Sequence, residues 1–248
     1  MGLFKAMAGF GKEKPGKVSC AAVIVAAGKG QRMDSDLNKQ FIHIYDKPIL
    51  AYTLEAFEAC DSIDEIVVVA REEEIFLVAE LIDTYDIQKV GQVVAGGATR
   101  QDSVMCGLRE VQGRYLLVAV HDGARPFILP QTIDQAVFEA EKSGACIVGV
   151  PMVDTVKRCG ANGFIESTVD RNALWLVQTP QVFKTDMLIE AHKSAKAAGI
   201  SLTDDAMALE RLNIAVKMLE GNYDNIKVTT SADLALGETI LQKRGLFA

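Results

Sequence analysis

Cys20-Ala21-Ala22-Val23-Ile24-Val25-Ala26 runs without a polar residue and opens directly into Ala27-Gly28-Lys29-Gly30-Gln31-Arg32-Met33. The run is continuous rather than alternating, as a strand must be when both of its faces are covered. Three more runs repeat it: Ile66–Ala70, Leu116–Val120 and Ala145–Val150. Between them, Ile49–Ala59, Ile75–Ile82, Val104–Val111 and Ile133–Ala140 carry apolar residues at helical spacing. Strand and helix in alternation predict an α/β fold, a Rossmann-like, doubly wound, mostly parallel sheet.

The alternation breaks after Pro151. Two β-branched, alternating segments flank Gly160-Ala161-Asn162-Gly163 within residues 152–172, which predicts a β-hairpin with no helix to cover it. A lone two-stranded hairpin is marginal in water. It is therefore expected to protrude as a dimerisation arm packed on a second subunit, the alternative being that it folds back on its own domain. Helical pattern resumes at Thr185–Ala198 and again after Thr203. A last strand is expected at Lys227–Thr229, leading into a helix over Ser231–Leu241, with Thr230 and Asp233 at the spacing of an N-terminal capping pair.

A chain of 248 residues with 49% apolar and 24% charged side chains suits one globular domain or one domain with an elaboration. The net charge of −7 argues against a nucleic-acid-binding surface. Any bound anion must then be held by a local cluster of cations and backbone N–H groups. The five cysteines (Cys20, Cys60, Cys106, Cys146, Cys159) are odd in number, widely spaced and never form CxxC. They read as reduced thiols of a cytoplasmic protein. The three histidines are scattered too, which speaks against zinc. No apolar run approaches the roughly 18 residues of a membrane span, so no membrane partner is expected. Residues 1–17 read as a flexible leader.

Two stretches carry chemistry. In Ala26-Ala27-Gly28-Lys29-Gly30-Gln31-Arg32, small residues let backbone N–H groups approach an anion. Arg32 and Lys39 add positive charge in the same loop. Met33 stands where a dinucleotide fingerprint needs a small residue, and the loop lacks the Gly-Lys-Ser/Thr of a Walker A motif. Taken alone, the stretch is equally a phosphate cradle or a plain strand–helix turn. The second stretch, His121-Asp122-Gly123-Ala124-Arg125-Pro126, follows an apolar strand at the end where open α/β sheets bind ligands. Asp122 suits a divalent metal between phosphates, and Arg125 suits a phosphate, unless the two only lock the loop as an ion pair. His121 reads as a structural hydrogen-bonder. The remaining polar motifs read one by one as turns or caps: Gly96–Ser103, Asp170-Arg171-Asn172, Gln178-Thr179-Pro180-Gln181, Thr203-Asp204-Asp205-Ala206 and Asn225–Thr229.

Taken in order over residues 18–242, the set resembles the 2-C-methyl-D-erythritol 4-phosphate cytidylyltransferases of the non-mevalonate isoprenoid pathway. The likeness rests on Ala26-Ala27-Gly28-x-Gly30-x-Arg32-Met33, Lys39-Gln40, His121-Asp122-Gly123-Ala124-Arg125-Pro126, Asp170-Arg171, Thr179-Pro180-Gln181, Thr203-Asp204 and Asn225–Thr229. Val25, Asn38 and Ala98 depart from the family's usual residues, at positions that concern backbone shape.

The resemblance implies a single nucleotidyltransferase domain over residues 18–248 that joins CTP to 2-C-methyl-D-erythritol 4-phosphate with Mg2+ and releases pyrophosphate. It implies CTP contacts from Ala26, Ala27, Gly28, Gly30, Arg32, Lys39, Gly96, Ser103 and Asp122, with Asp122 also on the metal. It implies a sugar-phosphate pocket of Arg125, Thr155, Arg171, Thr179, Thr203 and Lys227, with Thr155 and Arg171 reaching the site of the partner in a homodimer. Arg32, Lys39 and Lys227 then carry the catalysis, by charge neutralisation rather than by a side-chain nucleophile. A sibling ribitol 5-phosphate cytidylyltransferase is the nearest alternative. An NAD-dependent oxidoreductase and a non-catalytic nucleotide-binding module are alternatives from other classes.

Overall fold

The computed structural model describes residues 18–28 and 39–245. The first strand, β1 (Cys20–Val25), is followed by a small two-stranded ribbon of β2 (His43–Ile44) and β3 (Lys47–Pro48). Then come α1 (Ile49–Glu58), β4 (Glu65–Ala70), α2 (Ile75–Thr84), β5 (Val90–Ala95), α3 (Arg100–Val111) and β6 (Leu117–Asp122). The second half adds α4 (Pro130–Ser143), β7 (Ala145–Pro151), β8 (Val156–Cys159), β9 (Ile165–Val169) and β10 (Trp175–Lys184). It closes with α5 (Thr185–Ala197), α6 (Ala206–Glu210), β11 (Lys217–Glu220) and α7 (Ser231–Lys243).

Seven strands form one sheet in the order β11-β7-β10-β6-β1-β4-β5. β1 pairs in parallel with both β4 and β6, which makes it a central strand. This explains its unbroken apolar run. Ala22 and Ile24 face a core shared with α1, α2 and α4, whereas Ala21 and Val23 face a core shared with α3, α5 and α6. Every side chain of a doubly covered strand is buried, so none needs to be polar. Gly107 lets α3 sit close on this sheet, since a Cβ there would run into Val23. A third core under the ribbon holds Ile44, Ile49, Phe127, Val228, Ile240 and Leu241, and docks α7.

The chain departs from the sequence reading at several places. Residues 227–229 do not form a strand. Val228 N donates to Ala124 O at 2.8 Å, but no ladder follows, because the edge beyond β6 is already filled by β10. Gln178-Thr179-Pro180-Gln181 reads as a turn but lies inside β10, the one strand antiparallel to its neighbours β6 and β7. The register with β7 shifts between Val177 and Gln181, where Pro180 has no N–H to give. The edge strands β5 and β11 carry polar and charged residues that hide them from an apolar-run reading.

The hairpin forms as the sequence predicts. β8 and β9 pair only with each other, Val156 opposite Val169 and Lys157 opposite Thr168. Gly163 closes the turn at φ 80°, a left-handed value that glycine tolerates. The hairpin and its roots expose Val153, Phe164, Ile165 and Leu176.

Candidate active site

The order of strands reverses about β1, and ligands of open α/β sheets bind outside the carboxyl ends at such a point. A cleft of about 400 Å³ lies there. Its walls are the end of β1 (Val25, Ala26, Ala27, Gly28), Gln40, the loop and first turn of α3 (Gly97 to Arg100, Ser103), Asp122 with Ala124, and Lys227.

The chain is held where it leaves β1. Ala26 N donates to Val69 O at 2.7 Å, and Gly123 N to Val25 O at 2.9 Å, so the ends of β4, β1 and β6 are tied together. Gly30 and Arg32 lie outside the described residues. So does the side chain of Lys39, whose backbone opens a 3-10 turn, Lys39–Phe41.

The opposite wall is built by local capping. Thr99 Oγ1 accepts from Asp102 N at 3.1 Å and starts α3. Ser103 Oγ donates to Thr99 O at 2.9 Å and accepts from Gly97 N at 3.1 Å, which shapes the loop. Gly96 stands behind it. A Cβ there would meet Ala27 Cβ at 2.6 Å and Ser103 Oγ at 2.8 Å, so glycine lets the two walls approach. The first turn of α3 borders the cleft, and its positive dipole end suits an anion.

Charge gathers on Asp122 at the end of β6. Its Oδ2 takes Lys227 Nζ at 2.7 Å and its Oδ1 takes Arg100 Nε at 3.3 Å. Burial works against its charge, but Lys227 and Arg100 overcome that and hold the carboxyl well below the usual carboxylate range. Arg100 also places Nη2 2.8 Å from Asp205 Oδ2, in a second ion pair. Burial would lower the Arg100 pKa, yet the two carboxylates raise it above the ordinary arginine value.

Beneath the cleft runs a chain of bonds with one consistent direction. Asp122 N donates to Thr179 Oγ1 (3.1 Å), whose hydroxyl meets His121 Nδ1 (3.0 Å), and His121 Nε2 meets Arg125 O (3.2 Å). These partners fit the tautomer with the proton on Nε2, donating to the Arg125 carbonyl. Burial pushes the His121 pKa down to about 3, so the ring is neutral at physiological pH. His121 is a buried structural hydrogen-bonder, as the sequence suggests. Arg125 donates Nη1 to Asn225 O at 2.9 Å and lies 3.7 Å from Asp122 through Nε.

Of the expected site residues, Ala26, Ala27, Gly28, Ser103, Asp122 and Lys227 line the cleft. Arg125 and Thr179 support it from below, and Gly96 from behind. Thr155 and Arg171 sit on the exposed arm and its root, where Arg171 donates to Val153 O. Thr203 is exposed before α6, with Oγ1 on Met207 Sδ at 3.6 Å. These three are not brought to the cleft within one chain. Arg100, Gln40 and Asp205 were not among the expected site residues. A signal for Arg100 was available, because Thr99-x-x-Asp102 is a helix-start pattern that puts Arg100 in the first turn.

The model of the family IspD, 2-C-methyl-D-erythritol 4-phosphate cytidylyltransferase, matches residues 20–243. The chain is 46% identical over 226 residues to the 2-C-methyl-D-erythritol 4-phosphate cytidylyltransferase of Clostridium acetobutylicum, covering 91% of this chain and 98% of that one. It is 44% identical over 225 residues to the protein of the same name from Alkaliphilus oremlandii, covering 90% and 95%. Among solved structures it is similar to the 4-diphosphocytidyl-2C-methyl-D-erythritol synthase of Anaerococcus prevotii, with TM-score 0.81 at 29% identity, over 91% of this chain and 96% of that one. It is also similar to the 2-C-methyl-D-erythritol 4-phosphate cytidylyltransferase of Thermus thermophilus, with TM-score 0.73 at 31% identity, over 91% and 99%.

Proposed function

This chain belongs to the 2-C-methyl-D-erythritol 4-phosphate cytidylyltransferase family, and from that membership we propose how its cleft works. The protein is a nucleotidyltransferase. It moves CMP from CTP to 2-C-methyl-D-erythritol 4-phosphate, giving 4-diphosphocytidyl-2-C-methyl-D-erythritol and pyrophosphate, in isoprenoid precursor biosynthesis. An oxygen of the sugar phosphate bonds to the α-phosphorus of CTP as the bond to the pyrophosphate oxygen breaks. Both reactants are anions, so repulsion is the main obstacle and fixed positive charge the main remedy.

The observation that carries the site assignment is the meeting of Lys227, Arg100 and Asp122 at the sheet's switch point, beside the glycine turn. In our reading the turn, with Arg32 and Lys39, receives the triphosphate. Lys227 faces the reacting α-phosphate, and the sugar phosphate approaches from the side of Arg125. No side chain needs to act as nucleophile, and the Ser103 hydroxyl is engaged in holding its own loop.

Mg2+ is part of the proposal. Asp122 is the carboxylate bordering the cleft, a hard oxygen donor of the kind Mg2+ takes. Among the described residues no three His, Cys, Asp or Glu side chains gather into a cage. One carboxylate, completed by substrate phosphates and water, suits an ion that neutralises phosphate charge when bound.

We further assign the hairpin to a homodimer in which Thr155 and Arg171 complete the partner's sugar-phosphate pocket. The exposed Val153, Phe164 and Ile165 support that reading. Cytoplasmic residence is supported by five free thiols. No helix among the described residues is long and apolar enough to cross a membrane.

The deciding assay measures pyrophosphate release from CTP and Mg2+ with 2-C-methyl-D-erythritol 4-phosphate and, side by side, with ribitol 5-phosphate. Turnover with the first and little with the second is expected. The reverse preference would overturn the substrate assignment.

A further inference from the structure

His192 lies on the buried face of α5 among Leu188, Ile189, Ala191 and Ala195, and its side chain is wholly buried. A helix docked only for stability would carry an apolar residue there, since a buried polar group is costly unless its hydrogen bonds are made. The imidazole makes a single hydrogen bond, from Nε2 to Asp205 Oδ1 at 3.0 Å, and its Nδ1 has no protein partner. This residue therefore retains a polar ring for one contact.

That contact backs a cleft residue. Asp205 is held by its backbone, whose N donates to Gln181 Oε1 at 3.0 Å. Its carboxylate lies between His192 on one oxygen and Arg100 on the other. Arg100 is in turn suspended between Asp205, wholly buried, and Asp122 on the cleft wall. A buried carboxylate with one oxygen unpaired is free to turn about its terminal torsion and to draw the guanidinium with it. His192 removes that freedom.

We propose that His192 is a positioning residue for the nucleotide cleft, holding Asp205 so that Arg100 presents its guanidinium to the triphosphate. The inference rests on the assignment of this cleft to CTP. His192 touches no substrate and acts only through Asp205 and Arg100.

The test is a mutant cycle on the full-length enzyme, read by steady-state kinetics for both substrates, calorimetric titration with CTP and thermal melting. His192→Leu keeps the volume and removes the donor. His192→Asn keeps a polar side chain whose N–H stops short of Asp205, and serves if the leucine variant does not fold. His192→Gln places an N–H at about the reach of Nε2. We expect the leucine or asparagine variant to weaken CTP binding about tenfold, with the KM for the sugar phosphate within about twofold. The glutamine variant should recover most of the loss. In an Arg100→Ala background the same His192 substitutions should add less than about twofold, because the group they position is gone.

A lowered melting temperature with unchanged CTP binding would make His192 merely structural and overturn the proposal. Equal weakening of both substrates, or a full effect persisting without Arg100, would overturn it too. If Arg100→Ala weakens CTP binding and the His192 variants do not, the proposal alone falls. If Arg100→Ala leaves CTP binding unchanged, the nucleotide assignment of the cleft falls, and the proposal with it.

Discussion

Lys227 Nζ lies 2.7 Å from Asp122 Oδ2, across 105 residues of sequence. Two tethers bracket the lysine: Val228 N bonded to Ala124 O at 2.8 Å, and Asn225 O bonded to Arg125 Nη1 at 2.9 Å. A segment with no strand partner is thereby pinned across the end of the sheet, and its cation points to the carboxylate that closes β6.

Lys227→Met removes that cation and leaves Asp122 paired with Arg100. The expected result is a fall in kcat of about 10²–10³, with the KM for CTP within about threefold, as for a donor that acts chiefly on the transition state. Steady-state kinetics check it. A fall of tenfold or less would reduce Lys227 to a structural partner of Asp122.

Arg125 is half-buried and spends donors on the carbonyls of Asn225 and Val177. Arg125→Ala should remove a charged hydrogen bond worth roughly 1.5–3 kcal/mol. In a chain of this size that lowers the melting temperature by roughly 3–12 °C. Activity should drop with it, because the Lys227 tether loosens. Calorimetry with and without the sugar phosphate separates the roles. A variant that melts like wild type but shows a raised KM for the sugar phosphate would make Arg125 a direct ligand instead.

Asp205 predicts an acid limb of stability. Burial disfavours its charge, but Arg100 and the His192 hydrogen bond outweigh burial and lower its pKa from 3.8. Since the folded value is depressed, the ionised carboxylate stabilises the fold above the unfolded value, and that contribution is lost as pH falls through the folded value. The stability gap between wild type and Asp205→Asn, from urea unfolding, should be largest near neutrality and shrink below pH 3.8. A gap that stays constant from pH 6 to pH 3 would contradict the assignment.

The hairpin predicts assembly. Deleting residues 156–168 should convert a dimer to a monomer in analytical ultracentrifugation while the domain still melts cooperatively. An unchanged dimer would remove the arm from the interface. Arg171→Ala, which leaves the arm in place, should raise the KM for the sugar phosphate much more than that for CTP. Equal effects on the two substrates would count against its place in the partner's pocket.

Much of the fold was legible because burial on both faces of a strand leaves only apolar residues, as in Ala21 to Ile24. Capping chemistry is equally local: Thr230 and Asp233 form the reciprocal cap that their spacing announces. The hairpin followed from Gly163 and its alternating flanks. β5 and β10 were hidden for the opposite reason. The apolar run of β5 is interrupted by Gly91 and Gln92, as an edge strand tolerates, and β10 carries a proline where its register shifts.

The sequence by itself determined the mostly parallel sheet, the position of its central strand and the identities of the charged residues, because periodicity and turn chemistry act over a few neighbours. Only the tertiary structure decided which of those charges meet. Arg100, Asp122, Asp205 and Lys227 come from four separate segments of the chain, and their pairing depends on how the sheet orders β6 beside β1 and lays residues 225–228 across its end. Pairing of buried charge is a property of distance and desolvation in three dimensions, and no spacing along the chain encodes it.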